Sequence, residues 1–219
     1  MPRHAQVIRP AIAPGRRVIA VSDIHGNLPF LRGILEKGRD SLATLRYVLE
    51  LRKTHTVYTL CGNCDYIDRM FLEGGKPDDA FSIQMNRRNG APADYASVDE
   101  ELWPILSEFW QERSVLMQMA AEVGAVPRHM DDLPALRAAL LEHFPEETGF
   151  LLGMPHILEA GNFIFVHGGV PREDRLEELT AYGCMKNDDF MGQGHSFRKW
   201  VVVGHWPVTL YDPRIQRSA

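Results

Sequence analysis

The sequence predicts an α/β fold interrupted by a helical insertion, on three observations. Short apolar runs at residues 17–22, 56–60, 163–166 and 200–203, rich in Val, Ile, Phe and Tyr, read as buried strands. Each run stops abruptly on a glycine-flanked cluster of His, Asp or Asn, which is loop chemistry. Between the second and third runs, from about residue 77 to 150, Leu, Met, Trp and Glu recur at helical spacing instead.

A chain of 219 residues suits a single domain, 1–219, carrying such an insertion, and is long enough to bury a core of useful size. Hydrophobic residues make up 45 % and charged residues 24 %, the balance of a folded globular protein. The net charge of −5 and a pI near 6.0 give no basic footprint, so no nucleic-acid partner is expected. No window approaches the roughly 18 uninterrupted apolar residues of a membrane span, and the opening residues lack the apolar core of a signal peptide. Three cysteines, Cys61, Cys64 and Cys184, form no disulfide framework, and the odd count points to a reducing compartment. A cytoplasmic protein is expected.

Taken in order, residues 1–15 carry prolines and little pattern, and read as surface chain. The run 17–22 is the first strand, ending on Asp23-Ile24-His25-Gly26-Asn27. A helix begins near Leu28, and another covers 41–52, with Leu42, Leu45, Val48 and Leu49 at helical spacing and Ser41 as its N-cap. The second strand, 56–60, ends on Cys61-Gly62-Asn63-Cys64-Asp65. Within the insertion, helices are expected over 99–121 and 131–143, with Asp131 and Asp132 complementing the dipole of the latter. Residues 156–159 and 163–166 form a hairpin about the turn 160–162, and the second strand ends on His167-Gly168-Gly169. The last strand, 200–203, ends on Gly204-His205.

In open α/β sheets, ligands gather outside the carboxyl ends of strands. Four such ends brought together place Asp23, His25, Asn63, His167 and His205 around one point. Their nitrogen and oxygen donors suit manganese, iron or zinc, with the aspartate able to bridge or anchor. The neighbouring glycines let the backbone turn sharply and come close to an anion. Singly, each residue has an ordinary reading: Asp23 and His25 as a cap and turn, Asn63 as turn chemistry, His167 and His205 as core histidines. Their order along the chain favours the metal site. His156 and His195 have no such support and are read as structural or surface residues.

The motifs Asp23-Ile24-His25-Gly26-Asn27, Gly62-Asn63, His167-Gly168-Gly169 and Gly204-His205 resemble, in that order, those of calcineurin-like metallophosphoesterases. The His-Gly-Gly form is similar to the branch holding the phosphoprotein phosphatases and the diadenosine tetraphosphate hydrolases. The resemblance covers about residues 17–212 outside the insertion. It implies a four-layer α/β/β/α sandwich, a pair of divalent metal ions (manganese first, with iron, zinc or magnesium as alternatives) and a hydroxide attacking phosphorus between them. Asp23 and His25 would belong to the first metal; Asn63, His167 and His205 would complete the second or position its neighbours. Asn63, Lys37 and Arg172 would contact substrate phosphate, and Cys64 and Asp65 would occupy the positions of the leaving-group acid and its acidic partner. The substrate would be a phosphoprotein or a nucleoside polyphosphate.

The chain departs from that pattern in two places. The family's Gly-Asp motif, whose aspartate bridges both metals, is missing: Asp23 and Asn63 lie about 40 residues apart, where two strand–helix–strand steps need about 60. The string 36–41 resembles the segment just after that motif in relatives, which puts Gly33 at the bridging position and leaves Asp40 or Glu36 as substitutes. Cys64 stands where the phosphoprotein phosphatase branch has a histidine. These departures leave room for two rivals: a catalytically impaired phosphoesterase fold that binds a ligand or partner without turnover, and a thiol redox protein built on Cys61-Gly62-Asn63-Cys64.

Overall fold

A computed structural model describes residues 2–16, 18–20, 41–82, 95–110, 113–187, 190 and 196–205. Asp23, His25, Gly33, Glu36, Lys37, Asp40 and the helix expected from Leu28 lie outside the described residues. The fold is mixed α/β, with one four-stranded mixed sheet in the described residues. The chain divides into two compact units: Met1–Asp23 with Leu60–Asn63 and Pro155–Ala219, and Ile24–Thr59 with Cys64–Met154.

The first unit holds the sheet. Its strands are β1 (Val7–Ile8), β2 (Ile157–Ala160), β3 (Phe163–Val166) and β4 (Trp200–Val203), in that spatial order. β1 runs parallel to β2, β2 and β3 form the antiparallel hairpin, and β4 returns parallel to β3 in the register Val166↔Val203. Gly161, at φ 56°, makes the hairpin turn, a backbone shape that costs glycine nothing. Alternate residues of the strands bury Ile157, Ile164 and Val166 in a core with Val170, Leu176 and Cys184.

Three expectations need correcting here. Residues 3–8 are not loose surface chain. Ala5 is buried and donates to Leu179 O at 2.8 Å, and Val7–Ile8 pair with Ile157–Leu158. His156 fixes that junction, accepting from Gln6 N on Nδ1 at 2.9 Å while its own backbone N–H donates to Gln6 O. Second, the run 17–22 shows no strand at its described residues 18–20, where Val18 and Ile19 are exposed. Third, 56–60 is irregular, with Tyr58 exposed. A strand is stabilised by its cross-strand neighbours, and an apolar run without a paired neighbour has no ladder to join. β4 forms as expected but lies half-exposed, with Trp200 on the surface.

The second unit is helical: α1 (Ser41–Thr54), α2 (Asn63–Glu73, whose first residue belongs to the sheet unit), α3 (Val98–Pro104), α4 (Val115–Glu122), α5 (Leu133–His143) and α6 (Pro145–Gly153). Ser41 does not act as the expected N-cap. Its hydroxyl donates to Arg113 O at 2.8 Å, and the Gln118 side chain accepts from Leu42 N instead. The helix expected over 99–121 is broken: α3 runs through Pro104 into a π-helical turn, Ile105–Trp110, and α4 restarts at the N-cap Ser114. Asp132 accepts from the backbone N–H groups of Arg128 and His129, which holds its carboxyl below the ordinary value and closes the turn before α5. Arg46 of α1 clamps the bundle, pairing with Glu122 at 2.8 Å and Glu147 at 2.9 Å. Among the described residues no helix is long and apolar enough to cross a membrane.

Asp68, in α2, is the anomaly of this unit. Burial pushes its carboxyl well above the ordinary 3.8, and the nearby charge of Asp65 adds to the rise; Ser114 Oγ approaches it only at 3.5 Å. A raised folded-state value means the group is neutral in the fold at pH values where the unfolded chain ionises it. The destabilisation is therefore absent below about pH 4 and grows as pH rises. Asp68→Asn is expected to raise the urea midpoint at pH 8, with the gain shrinking toward zero as pH falls to 4. An equal gain at both values would refute this.

Candidate metal centre

β3 and β4 are parallel neighbours, so their carboxyl ends lie side by side, and the residues just past them meet there. His167 comes directly after Val166; Gly204 and His205 come after Val203. Gly204 N donates to His167 O at 2.9 Å, joining the two strand ends. His205 takes the left-handed backbone shape, φ 44°, which costs a non-glycine residue about 1–2 kcal/mol and swings its ring toward His167. Asn63 comes from the segment Leu60–Asn63, held to the same unit by the Cys61 N–H on Pro155 O at 2.8 Å.

The three side chains converge. His167 Nε2 lies 2.9 Å from Asn63 Oδ1 and 3.0 Å from His205 Nδ1, and the two imidazoles meet edge to face at 4.9 Å. A ring nitrogen has one proton or one lone pair, so it cannot serve both neighbours well. Three donor atoms drawn together in this way are, however, what a cation needs. Bonds of about 2.1 Å to nitrogen and oxygen put neighbouring donors of an octahedral shell about 3.0 Å apart. His167 Nε2 thus stands at that spacing from each of its two neighbours, and these nitrogen and oxygen atoms are of the kind that could hold a divalent ion. Among the described residues no group of three or more His, Cys, Asp or Glu side chains is placed to hold a metal ion.

The two glycines after His167 have a packing role. Gly168 N and Gly169 N both donate to Cys184 O, at 2.8 and 3.1 Å, at the end of a short helix α7 (Ala181–Met185). A Cβ on Gly168 would stand 2.4 Å from Met185 O; one on Gly169, at φ 131°, would stand 2.5 Å from the Phe190 ring. The glycines thus let the segment after α7 lie directly against the strand end. That close approach delivers Lys186, whose Nζ contacts His205 Nε2 at 2.7 Å. No motif marks Lys186, and sequence reasoning misses it; a signal for it exists only in the packing.

The other expected residues have these places. Cys64 is exposed in the first turn of α2, and Asp65 lies beside it, its charge acting on Asp68. Cys61 is buried with its thiol on Gly62 O, and neither cysteine is in a disulfide. Arg172 is engaged at the surface by Glu178 at 2.9 Å and by Asp174 O at 3.2 Å. Asp23, His25 and Lys37 fall outside the described residues. Compared with protein-family models, with curated proteins and with solved structures, the chain finds no match in any of the three.

Proposed function

We propose that this chain is a metal-dependent phosphoester hydrolase of the metallophosphoesterase type, built on the four-layer α/β/β/α sandwich and acting in the cytoplasm on a phosphoprotein or a nucleoside polyphosphate. The observation that carries the reading is the convergence of Asn63 Oδ1, His167 Nε2 and His205 Nδ1 at the carboxyl ends of parallel strands. It joins residues from three motifs separated widely in sequence, which a set of unrelated turn and core residues has no reason to do. Two divalent ions, when bound, supply Lewis-acid charge and a water acidic enough to attack phosphorus at neutral pH. The chain's own part is to hold the donors. Asn63, His167 and His205 serve one ion, with Asp23 and His25 assigned to the other. Lys37 and Arg172 are the proposed phosphate contacts, Arg172 on exchanging its bond to Glu178. Cys64, backed by Asp65, is the proposed proton donor to the leaving group.

The test is metal content together with manganese-dependent hydrolysis of an aryl phosphate, on this chain and on Asp23→Asn. Two metals per chain and activity abolished by the variant are expected. A folded protein that binds no metal and turns nothing over would overturn the reading.

One observation favours the second reading, binding without turnover. A metal-ligating histidine usually gives its outer N–H to a carboxylate or carbonyl, whereas His205 meets the ammonium of Lys186 there. Phosphate binding with intact folding and no hydrolysis would support that alternative.

A further inference from the structure

The side chains of β4 do not by themselves say where along β3 it belongs. Val201, Val202 and Val203 are the same residue, so a slip of one position still offers valine to the core. In the observed register Val201 and Val203 pack against the core, and strand alternation puts Val202 on the opposite face. A slipped strand would turn Trp200 and Val202 inward, apolar again, with no buried charge to oppose it. It would also carry His205 about 3.3 Å along and to the other face, away from His167.

Register then has to be fixed outside the three valines, and the bend just before β4 is where this happens. Glu173 Oε2 accepts from Arg198 N at 2.8 Å and from Lys199 N at 3.1 Å, while Oε1 accepts from Arg198 Nε at 2.6 Å. Glu173 is part-buried and lies six residues past His167, so the chain that leaves the end of β3 returns to grip the start of β4. The guanidinium bond singles out Arg198 by its side chain, which a shifted strand cannot imitate. The bond from Trp200 N to Asn162 O, 2.8 Å, would pass to another N–H of a slipped strand. Lys199 adds a tie to Glu159, on a flexible stem that sets register less strictly. We propose that Glu173 is a positioning residue that pins the register of β4 and thereby sets His205 opposite His167. The consequence for metal binding rests on the proposed function; the register does not.

The experiment compares the parent with Glu173→Ala, Val202→Lys and the double variant. NMR reads the register as the contact of the Gly204 amide with the His167 backbone, a bond of 2.9 Å in the observed pairing. Equilibrium dialysis reads manganese affinity. Glu173→Ala is expected to lose the contact and to bind manganese about tenfold more weakly, as when the in-register fraction falls to about a tenth. Val202→Lys alone should keep both. Its ammonium is solvated on the outer face and would be buried unpaired by a slip, so the double variant should regain the contact and the affinity while the bonds of Glu173 stay lost. A Glu173→Ala protein that keeps the contact overturns the proposal, and so does a double variant, folded or not, that fails to regain it. If the contact behaves as expected but the parent binds no manganese, the metal-site reading fails and the register pin stands.

Discussion

His167→Ala is expected to weaken manganese binding by more than about 100-fold and to remove manganese-dependent turnover, with the fold intact. Outer-shell partners already contribute about 10–100-fold to a site of this kind, and His167 is the residue on which the other two donors converge. His167 is part-buried and lies just past the end of β3, so its truncation is expected to leave Ile164 and Val166 packed as before. Equilibrium dialysis against manganese, with circular dichroism as the control, measures both parts. His156→Ala supplies the contrast: that ring accepts from the Gln6 backbone and belongs to the junction of β1 and β2. It should lower the thermal midpoint and leave manganese affinity where it was. Affinity within a few-fold of the parent in His167→Ala would remove this residue from the site.

Gly168→Ala is expected to destabilise the protein by about 3 kcal/mol, the upper end of what overpacking costs. The added methyl would meet the Met185 carbonyl at 2.4 Å, its carbon at 2.6 Å and Asn187 N at 2.9 Å, all backbone, so no side-chain rotation relieves it. The strand end and the segment after α7 must separate, which lengthens the bonds from Gly168 N and Gly169 N to Cys184 O. Gly149→Ala is the internal control. It lies within α6 with open space around it, and alanine there should stabilise by about 1 kcal/mol. Urea midpoints of the two variants should therefore move in opposite directions. A Gly168→Ala protein as stable as the parent would mean that the strand end and the α7 segment are not packed this closely.

What the sequence discloses is tied to how local each signal is. The hairpin of β2 and β3 is legible because its apolar residues and its turn lie within ten residues of one another. That Asn63, His167 and His205 meet is legible because each stands just past an apolar run. β1 is not, being two residues between polar neighbours that become a strand only when β2 lies alongside. The runs at 17–22 and 56–60 carry the same composition as β3, yet their described residues form no ladder. Composition states what a strand tolerates, and a partner decides whether one forms. The four-layer sandwich is what the family resemblance implies, and the structure shows the coarser mixed α/β fold. Lys186 is invisible in the sequence for a related reason. Its place depends on two glycines 17 and 18 residues earlier having no Cβ, a fact about contact and not about pattern.

The register of β3 and β4 has a consequence for how this protein would meet its metal. Asn63 and His167 are 104 residues apart and His167 and His205 are 38 apart, so the donors become neighbours only when β4 has joined the sheet. Capture of an ion is then a late event in folding, since loops of that size must close first. The coupling works in both directions. An ion that binds the closed sheet and not the open chain adds RT ln(1 + [L]/Kd) to stability, about 2.7 kcal/mol at a hundredfold excess over Kd. By the same reciprocity, anything that peels the half-exposed β4 from its neighbour would release an ion bound there. On the proposed function β4, the last strand of the sheet among the described residues, would be the clasp of the site, and metal retention would gauge whether it is fastened.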